Sequence, residues 1–172
     1  MTLNLKSHIA DVPNFPKEGI IFRDISPLLA SPEAFSFAVS AMSDAVKGCG
    51  AGAVVAIESR GFIFGAPVAM RLKLPLVLVR KPGKLPGDRE QVSYGLEYGT
   101  DTLELKRGMI AAGSQVVIVD DVLATGGTAA ATADLVTRVG GHVAGFVFLI
   151  ELLGLEGRSR LGDRRTASII QY

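Results

Sequence analysis

Tryptophan is absent from this sequence, cysteine occurs once, histidine twice, and the charged side chains almost cancel. Each shortage excludes something. A lone thiol, Cys49, cannot close an intramolecular disulfide, so the core must hold the fold together and a reducing cytoplasm is the expected compartment. Cys49, His8 and His142 have no partners at metal-ligand or triad spacing and read as structural residues. Eighteen basic against seventeen acidic side chains leave a net charge of +1. That supplies no global field for nucleic acid and no acidic tail, so any anion site has to be local. The longest apolar runs, such as AGFVFLI, fall far short of the roughly twenty residues a membrane helix needs. The opening MTLNLKSHIADVP lacks the apolar centre of a signal peptide. Neither a membrane nor a nucleic acid is expected as a partner.

What is present is a well-supplied core: 48% of the 172 residues are hydrophobic, which suits a single compact domain spanning 1–172. AGAVVAI (51–57), LPLVLV (74–79), QVVIV (115–119), HVAGFVFLI (142–150) and the terminal ASIIQY read as strands. Their apolar character is continuous rather than alternating, which indicates burial on both faces and a largely parallel sheet. Helical patterns separate them. Ser31-Pro32-Glu33 is an N-cap followed by proline at the first helical position, with Phe35, Ala38, Val39, Met42, Ala45 and Val46 on one face up to Gly48. The stretches 61–72 and 128–139 read similarly, the second stopped by Gly140-Gly141. The expected class is α/β: an open, mostly parallel twisted sheet flanked by helices. One insertion breaks the rhythm. Residues 81–108 carry turn residues at both ends and partial alternation at Val92, Tyr94, Leu96 and Tyr98, which predicts a loop followed by an antiparallel hairpin, a hood over the sheet.

Ligands of open α/β sheets gather at the carboxyl ends of the strands. The residues there are polar: Glu58-Ser59-Arg60-Gly61 after the first, Arg80-Lys81-Pro82-Gly83-Lys84 after the second, Asp120-Asp121 and Ala124-Thr125-Gly126-Gly127-Thr128 after the third, and Glu151 after the fourth. They read as four arms of one site. Thr125 to Thr128 opens a helix, where free backbone N–H groups and the helix dipole favour a phosphate. Neither GxxxxGK[ST] nor GxGxxG occurs, so this is neither a Walker loop nor a dinucleotide fingerprint. On its own the turn reads equally as a well-capped αβ connection. The adjacent carboxylates alter that balance, because two acids beside an anion cradle suit a sugar phosphate: the acids accept from ribose hydroxyls while the cradle takes the phosphate. They also favour a nearby Mg²⁺ bound through one or two carboxylates, substrate oxygens and water.

VVIVDDVLATGGT (116–128) closely resembles the phosphoribosyl pyrophosphate (PRPP) signature of type I phosphoribosyltransferases. FPKEGIIFRDISPLL, ESRGFIFG, RKPGKLPG, SYGLEYGTDTLEL and IIQY, in that order from about Pro13 to Tyr172, look like the adenine phosphoribosyltransferase family. The resemblance implies the type I phosphoribosyltransferase fold and transfer of the phosphoribosyl group of PRPP to adenine, giving AMP and pyrophosphate. It implies Mg²⁺ held mainly by PRPP and assisted by Asp120 and Asp121, and a homodimer, with which apolar Phe15, Ile20 and Ile25 are compatible. By the same resemblance Ala124, Thr125, Gly126, Gly127 and Thr128 bind the 5′-phosphate, and Asp120 and Asp121 the ribose hydroxyls. Arg60, Arg80, Lys81 and Lys84 are implied for pyrophosphate, chemistry that suits guanidinium and ammonium groups. Ile21 through its backbone, Phe22 by stacking and Arg23 nearby are implied for adenine. Glu97 is the implied general acid/base, with Tyr98 helping the hood to close and Gly83, Pro86 and Gly87 in a lid that excludes water. A non-proline cis peptide before Ser59 is also implied, aiming backbone amides at pyrophosphate.

Without the resemblance Phe22 reads as a core residue, Lys81 as a solvated base and Glu97 as an ordinary hairpin carboxylate. Two departures from some relatives are Pro82 in place of a further base and Glu58 in place of Asp. The basic stretch GRSRLGDRRTA reads as a solvated loop or part of a subunit contact. Two other functions remain open: a phosphoribosyltransferase for another base, and a non-catalytic PRPP-binding regulator, against which stands the lack of a basic recognition surface.

Overall fold

The computed structural model describes residues 3–96 and 99–172. The chain divides into two compact units, Met1–Ala41 and Met42–Tyr172. In the first, a short 3₁₀ turn (Leu5–His8) precedes an antiparallel pair, β1 (Ala10–Pro13) and β2 (Ile21–Asp24), in which Val12 lies opposite Phe22 and Asp11 opposite Arg23. Asp24 Oδ1 then accepts from the amide and hydroxyl of Ser26, which starts the single-turn helix α1 (Ser26–Ala30). The Ser31 hydroxyl accepts from Ala34 N at 3.2 Å and starts α2 (Pro32–Cys49), as the Ser-Pro-Glu signal predicts.

The second unit is built on a seven-stranded sheet in the order β5-β6-β4-β3-β7-β8-β9. Its strands and helices follow in sequence as β3 (Ala53–Ile57), α3 (Arg60–Leu72), β4 (Leu76–Arg80), β5 (Arg89–Leu96), β6 (Gly99–Lys106), β7 (Gln115–Leu123), α4 (Gly127–Arg138), β8 (His142–Glu151) and β9 (Arg165–Gln171). Strands β4, β3, β7, β8 and β9 run parallel, and Val55, Ile57, Val79, Ile118, Leu135, Phe146 and Phe148 form its buried centre. The α/β class read from the sequence is the class observed. The hood hairpin extends the sheet: β6 pairs antiparallel with β4 through Val79 and Leu105, and β5 pairs with β6. Fully buried Glu104 accepts from Arg89 Nε at 3.0 Å and from Gln91, which ties the base of the hairpin across its own ladder.

The chain winds outward from β3 in two directions, to β4 on one side and, after the hairpin, to β7 on the other. The crevice between β3 and β7 is therefore a topological switch point, where open α/β sheets bind ligands. One boundary differs from the sequence reading in an instructive way. Asp120 and Asp121 do not follow the third core strand but lie within β7, which runs on to Leu123. The ladder to β3 ends at Ala56 and Val119, whereas the ladder to β8 continues through Asp120–Phe148 to Leu123–Glu151. The two acids thus stand in a notch where one neighbouring strand has stopped and the other has not.

Candidate active site

At the carboxyl ends of β3, β4 and β7 a cavity of about 570 Å³ is walled by Glu58, Ser59, Arg60, Lys81, Tyr94, Asp101, Asp120, Asp121, Ala124 and Thr128, among others. A smaller recess of about 80 Å³ adjoins it and is formed by Asp120 and the turn from Val122 to Ala129. Gly126 takes φ of 80° and caps α4, whose first turn carries no acidic side chain, so unpaired backbone N–H groups and the positive end of the helix face the recess. An anion of phosphoryl size suits it.

The acids are held under strain of charge. Arg60 Nε lies 2.7 Å from Asp121 Oδ2, and Asp120 Oδ1 accepts from the Asp121 amide at 2.8 Å. Burial, reinforced by the neighbouring charge of Asp121, raises the Asp120 carboxyl well above the usual aspartate range. Burial raises Asp121 too, against the opposing pull of Arg60. At the acid pair two carboxyl groups share one guanidinium, which leaves that corner of the cavity short of positive charge. A ligand that brings a cation and hydroxyl donors supplies what is missing.

The residues expected at the pyrophosphate end are placed differently from one another. Arg60 and Lys81 line the cavity, and Lys81 Nζ lies 3.4 Å from Asp101 Oδ2. Arg80, the last residue of β4, turns instead to Glu58, donating from Nε and Nη2 at 3.3 Å each, while its remaining nitrogen reaches Lys84 O and its guanidinium carbon lies 5.9 Å from the Phe62 ring centre. Glu58 also accepts from the Lys81 amide at 2.8 Å. Burial pushes the Glu58 carboxyl up, but this amide and Arg80 outweigh it and hold the group below the usual glutamate range. Glu58 is thus the seat of the β4 end. The Glu58–Ser59 peptide is cis.

Ile21, Phe22 and Arg23 lie on β2 of the first unit, where Phe22 packs edge-to-face on Phe15 at 5.2 Å and Arg23 pairs with Asp11. Ile25 is buried within the chain at 3% exposure, so of the apolar trio expected at a subunit contact only Phe15 and Ile20 are exposed. Glu97 and Tyr98 lie outside the described residues.

Two sequence readings are corrected. Glu151 is not an arm of the site. Ending β8 at 3% exposure, it is gripped by Arg158 (2.9 and 2.5 Å), Ser168 and Gln171, a closed polar knot whose guanidinium pulls the carboxyl below its usual range. Nor is GRSRLGDRRTA simply a solvated loop. Residues Gly157–Leu161 form a 3₁₀ turn that lies directly against the anion turn. A Cβ at Gly157 would stand 2.1 Å from Ala124 O, and one at Gly126 would stand 2.3 Å from Gly157 O. Two backbones cross there with no room for a side chain on either. The only hint in the sequence was the isolated glycine of LEGRSR.

The family model for the phosphoribosyl transferase domain matches residues 43–171. Over 170 residues the chain is 52% identical to an adenine phosphoribosyltransferase of Carboxydothermus hydrogenoformans, covering 99% of this chain and 100% of that one. The chain belongs to the adenine phosphoribosyltransferase family. Among solved members, the adenine phosphoribosyltransferase of Thermoanaerobacter pseudethanolicus superposes with a TM-score of 0.94 at 46% identity, covering 98% of each chain. The Saccharomyces cerevisiae adenine phosphoribosyltransferase, complexed with an imino-altritol bisphosphate and adenine, gives 0.91 at 39% identity over 96% of each. The type I phosphoribosyltransferase fold is therefore that of this chain, and its cavity at the β3/β7 crevice is the cavity of a family member.

Proposed function

We propose that the chain transfers the 5-phosphoribosyl group of PRPP to adenine, forming AMP and releasing pyrophosphate, a purine-salvage reaction, and that residues 1–172 work as one phosphoribosyltransferase domain. The carrying observation is the Asp120–Asp121 pair set in the β7 notch beside the anion recess of Ala124 to Thr128, a juxtaposition suited to a pentose with a terminal phosphate. The C1–oxygen bond to pyrophosphate breaks as a nitrogen of adenine bonds to C1, through a transition state with oxocarbenium character. Positive charge develops on the sugar and negative charge on the leaving group. Arg60 and Lys81 face the leaving group, while Arg80 and Lys84, grouped about Glu58, reach it by exchanging that partner for phosphate oxygens. The acid pair accepts from the ribose hydroxyls and fixes the ring for in-line attack.

Mg²⁺ fits this donor set as a companion of the substrate. Among the described residues no group of three or more His, Cys, Asp or Glu side chains could hold a metal. Asp120 and Asp121 would face an ion carried by PRPP, in keeping with the habit of Mg²⁺ of binding few carboxylates and many phosphate or water oxygens. The ion supplies charge that offsets the growing negative charge on pyrophosphate.

Adenine is assigned to the Ile21 backbone and the Phe22 ring with Arg23, general acid/base duty to Glu97, and hood closure to Tyr98. We further assign the chain to the cytoplasm as a homodimer; the single cysteine and the exposed Phe15 and Ile20 support this, and no helix of the described residues is long and apolar enough to cross a membrane. The deciding experiment is a steady-state assay with PRPP, Mg²⁺ and each purine in turn. AMP formation from adenine, with hypoxanthine and guanine inert, is expected. Turnover of a 6-oxopurine in preference to adenine would reassign the base, and tight PRPP binding with no turnover of any base would make the chain a regulator.

A further inference from the structure

One side chain in the cavity has no part in the chemistry above. Tyr94 lies on β5, where the ladder pairs it with Asp101 on β6, so its position is set by the hairpin register and not by a loop. Its hydroxyl oxygen is 3.0 Å from Thr128 Oγ1 and 3.5 Å from Asp101 Oδ2. Its ring lies on the anion turn, 3.6 Å from where a Cβ of Gly127 would stand.

The tyrosine hydroxyl carries one proton and has two acceptors within reach, Asp101 Oδ2 and Thr128 Oγ1. A carboxylate only accepts, and Asp101 already receives the Thr102 amide at 2.9 Å and the Lys81 ammonium at 3.4 Å. The 3.5 Å contact from Tyr94 to Asp101 is at the limit of a hydrogen bond, whereas 3.0 Å to Thr128 is well within range. Of the two acceptors within reach of the tyrosine proton, Thr128 Oγ1 is the nearer by half an ångström. Thr128 makes no other side-chain hydrogen bond among the described residues, so with the tyrosine as donor its own proton is left for an acceptor in the cavity.

We propose that Tyr94 is a positioning residue for the 5′-phosphate of the sugar substrate: by donating to Thr128 Oγ1 it commits the Thr128 hydroxyl to act as a donor to a phosphate oxygen. The hood hairpin is thereby joined to phosphate recognition, through one tyrosine whose neighbour Asp101 also holds Lys81. This rests on the reading of Ala124 to Thr128 as the phosphate cradle.

The test is calorimetric titration of the full chain with ribose 5-phosphate and, separately, with Mg²⁺-pyrophosphate, which lacks the 5′-phosphate. Tyr94→Phe keeps the ring and removes the proton. It should weaken ribose 5-phosphate about tenfold, the scale of one hydrogen bond to a charged group. Mg²⁺-pyrophosphate should bind within about twofold of the parent, since Tyr94 acts on the other end of the sugar. Because the effect passes through Thr128, Tyr94→Phe combined with Thr128→Val should bind ribose 5-phosphate no more weakly than Thr128→Val alone. Additive losses, or equal weakening of both ligands as expected from a merely loosened hood, would overturn the assignment. If Thr128→Val weakens ribose 5-phosphate while Tyr94→Phe does not, Tyr94 loses its role and the cradle stands. If neither variant affects ribose 5-phosphate, the cradle reading itself fails and takes the proposal with it. Thermal melts of each variant keep a folding defect from being read as a binding one.

Discussion

Arg60, one residue past the cis peptide that follows β3, places its Nε 2.7 Å from Oδ2 of Asp121 on β7. That ion pair spans the crevice at which the chain reverses its direction of winding. Among the described residues it is the one positive charge paired with either acid.

Removing it should therefore cost both stability and turnover. Arg60→Ala leaves Asp121, whose side chain is 7% exposed, without its counter-charge. Because Arg60 itself is partly solvated, the loss of stability should be about 1–3 kcal/mol, below the full figure for a buried pair. The value of kcat/KM should fall by about 10–100-fold, and Arg60→Lys should not restore it, because a point charge cannot replace the planar fork. Chemical denaturation and steady-state kinetics check the two numbers.

Asp120 should show the opposite sign in stability. Its carboxyl is raised, so the ionised form is disfavoured in the folded chain, and the resulting penalty is present above the folded pKa and relieved as pH falls through it. Asp120→Asn should melt about 2–4 °C higher than the parent at neutral pH while binding PRPP more weakly, and the gap in melting temperature should narrow on acidification. A variant that melts lower at neutral pH would contradict this account of the pair.

For Glu151 the carboxyl is lowered, first by Arg158 and then by Ser168 and Gln171, against burial. Its contribution to stability is present above the ordinary glutamate pKa of about 4.3 and is lost as pH falls through the lower folded value. Melting temperatures of the parent and of Glu151→Gln should therefore differ at pH 7 and converge below about pH 4. A constant difference across that range would place the stabilisation elsewhere than in the charge.

Gly157→Ala tests the backbone crossing. A methyl group cannot fit 2.1 Å from Ala124 O, so the anion turn must shift. Overpacking of this kind costs about 1–3 kcal/mol. The Michaelis constant for PRPP should rise severalfold while that for adenine stays put, which two-substrate kinetics can separate.

Glu97→Ala addresses the acid/base assignment. A loss of kcat of about 10²–10⁴-fold is expected, with PRPP affinity held within about threefold. Unchanged turnover would remove Glu97 from the mechanism.

Sequence reasoning reached what is contiguous. The β-branched run, the two acids and the Thr-Gly-Gly-Thr turn sit side by side in the chain, and local rules about strand ends and helix N-termini suffice to read them. It failed where partners meet across the fold. Glu58 and Arg80 are 22 residues apart and Tyr94 and Thr128 are 34 apart; each meeting depends on strand register or on which sheet neighbour comes next, which periodicity does not encode. The Gly126–Gly157 crossing likewise has no signature beyond one glycine. The first-unit pair β1–β2 was missed because neither strand alternates over more than four residues and the connection between them carries Pro16, Gly19 and Asn14 at φ of 59°. Glu97 stood out only through the family's LEYG motif, since a single carboxylate in that stretch of sequence has no local mark of function.

The crossing of Gly157 over the anion turn also bears on how the enzyme is made. A nascent chain that has emerged only through β8 already contains every acid, base and loop amide assigned to the sugar, yet the strut against which that turn sets has still to be synthesised. The turn assigned to the sugar phosphate therefore gains its backing only from the segment that follows β8, and a chain ending at Glu151 should bind PRPP more weakly than the full chain although it holds every residue assigned to the sugar.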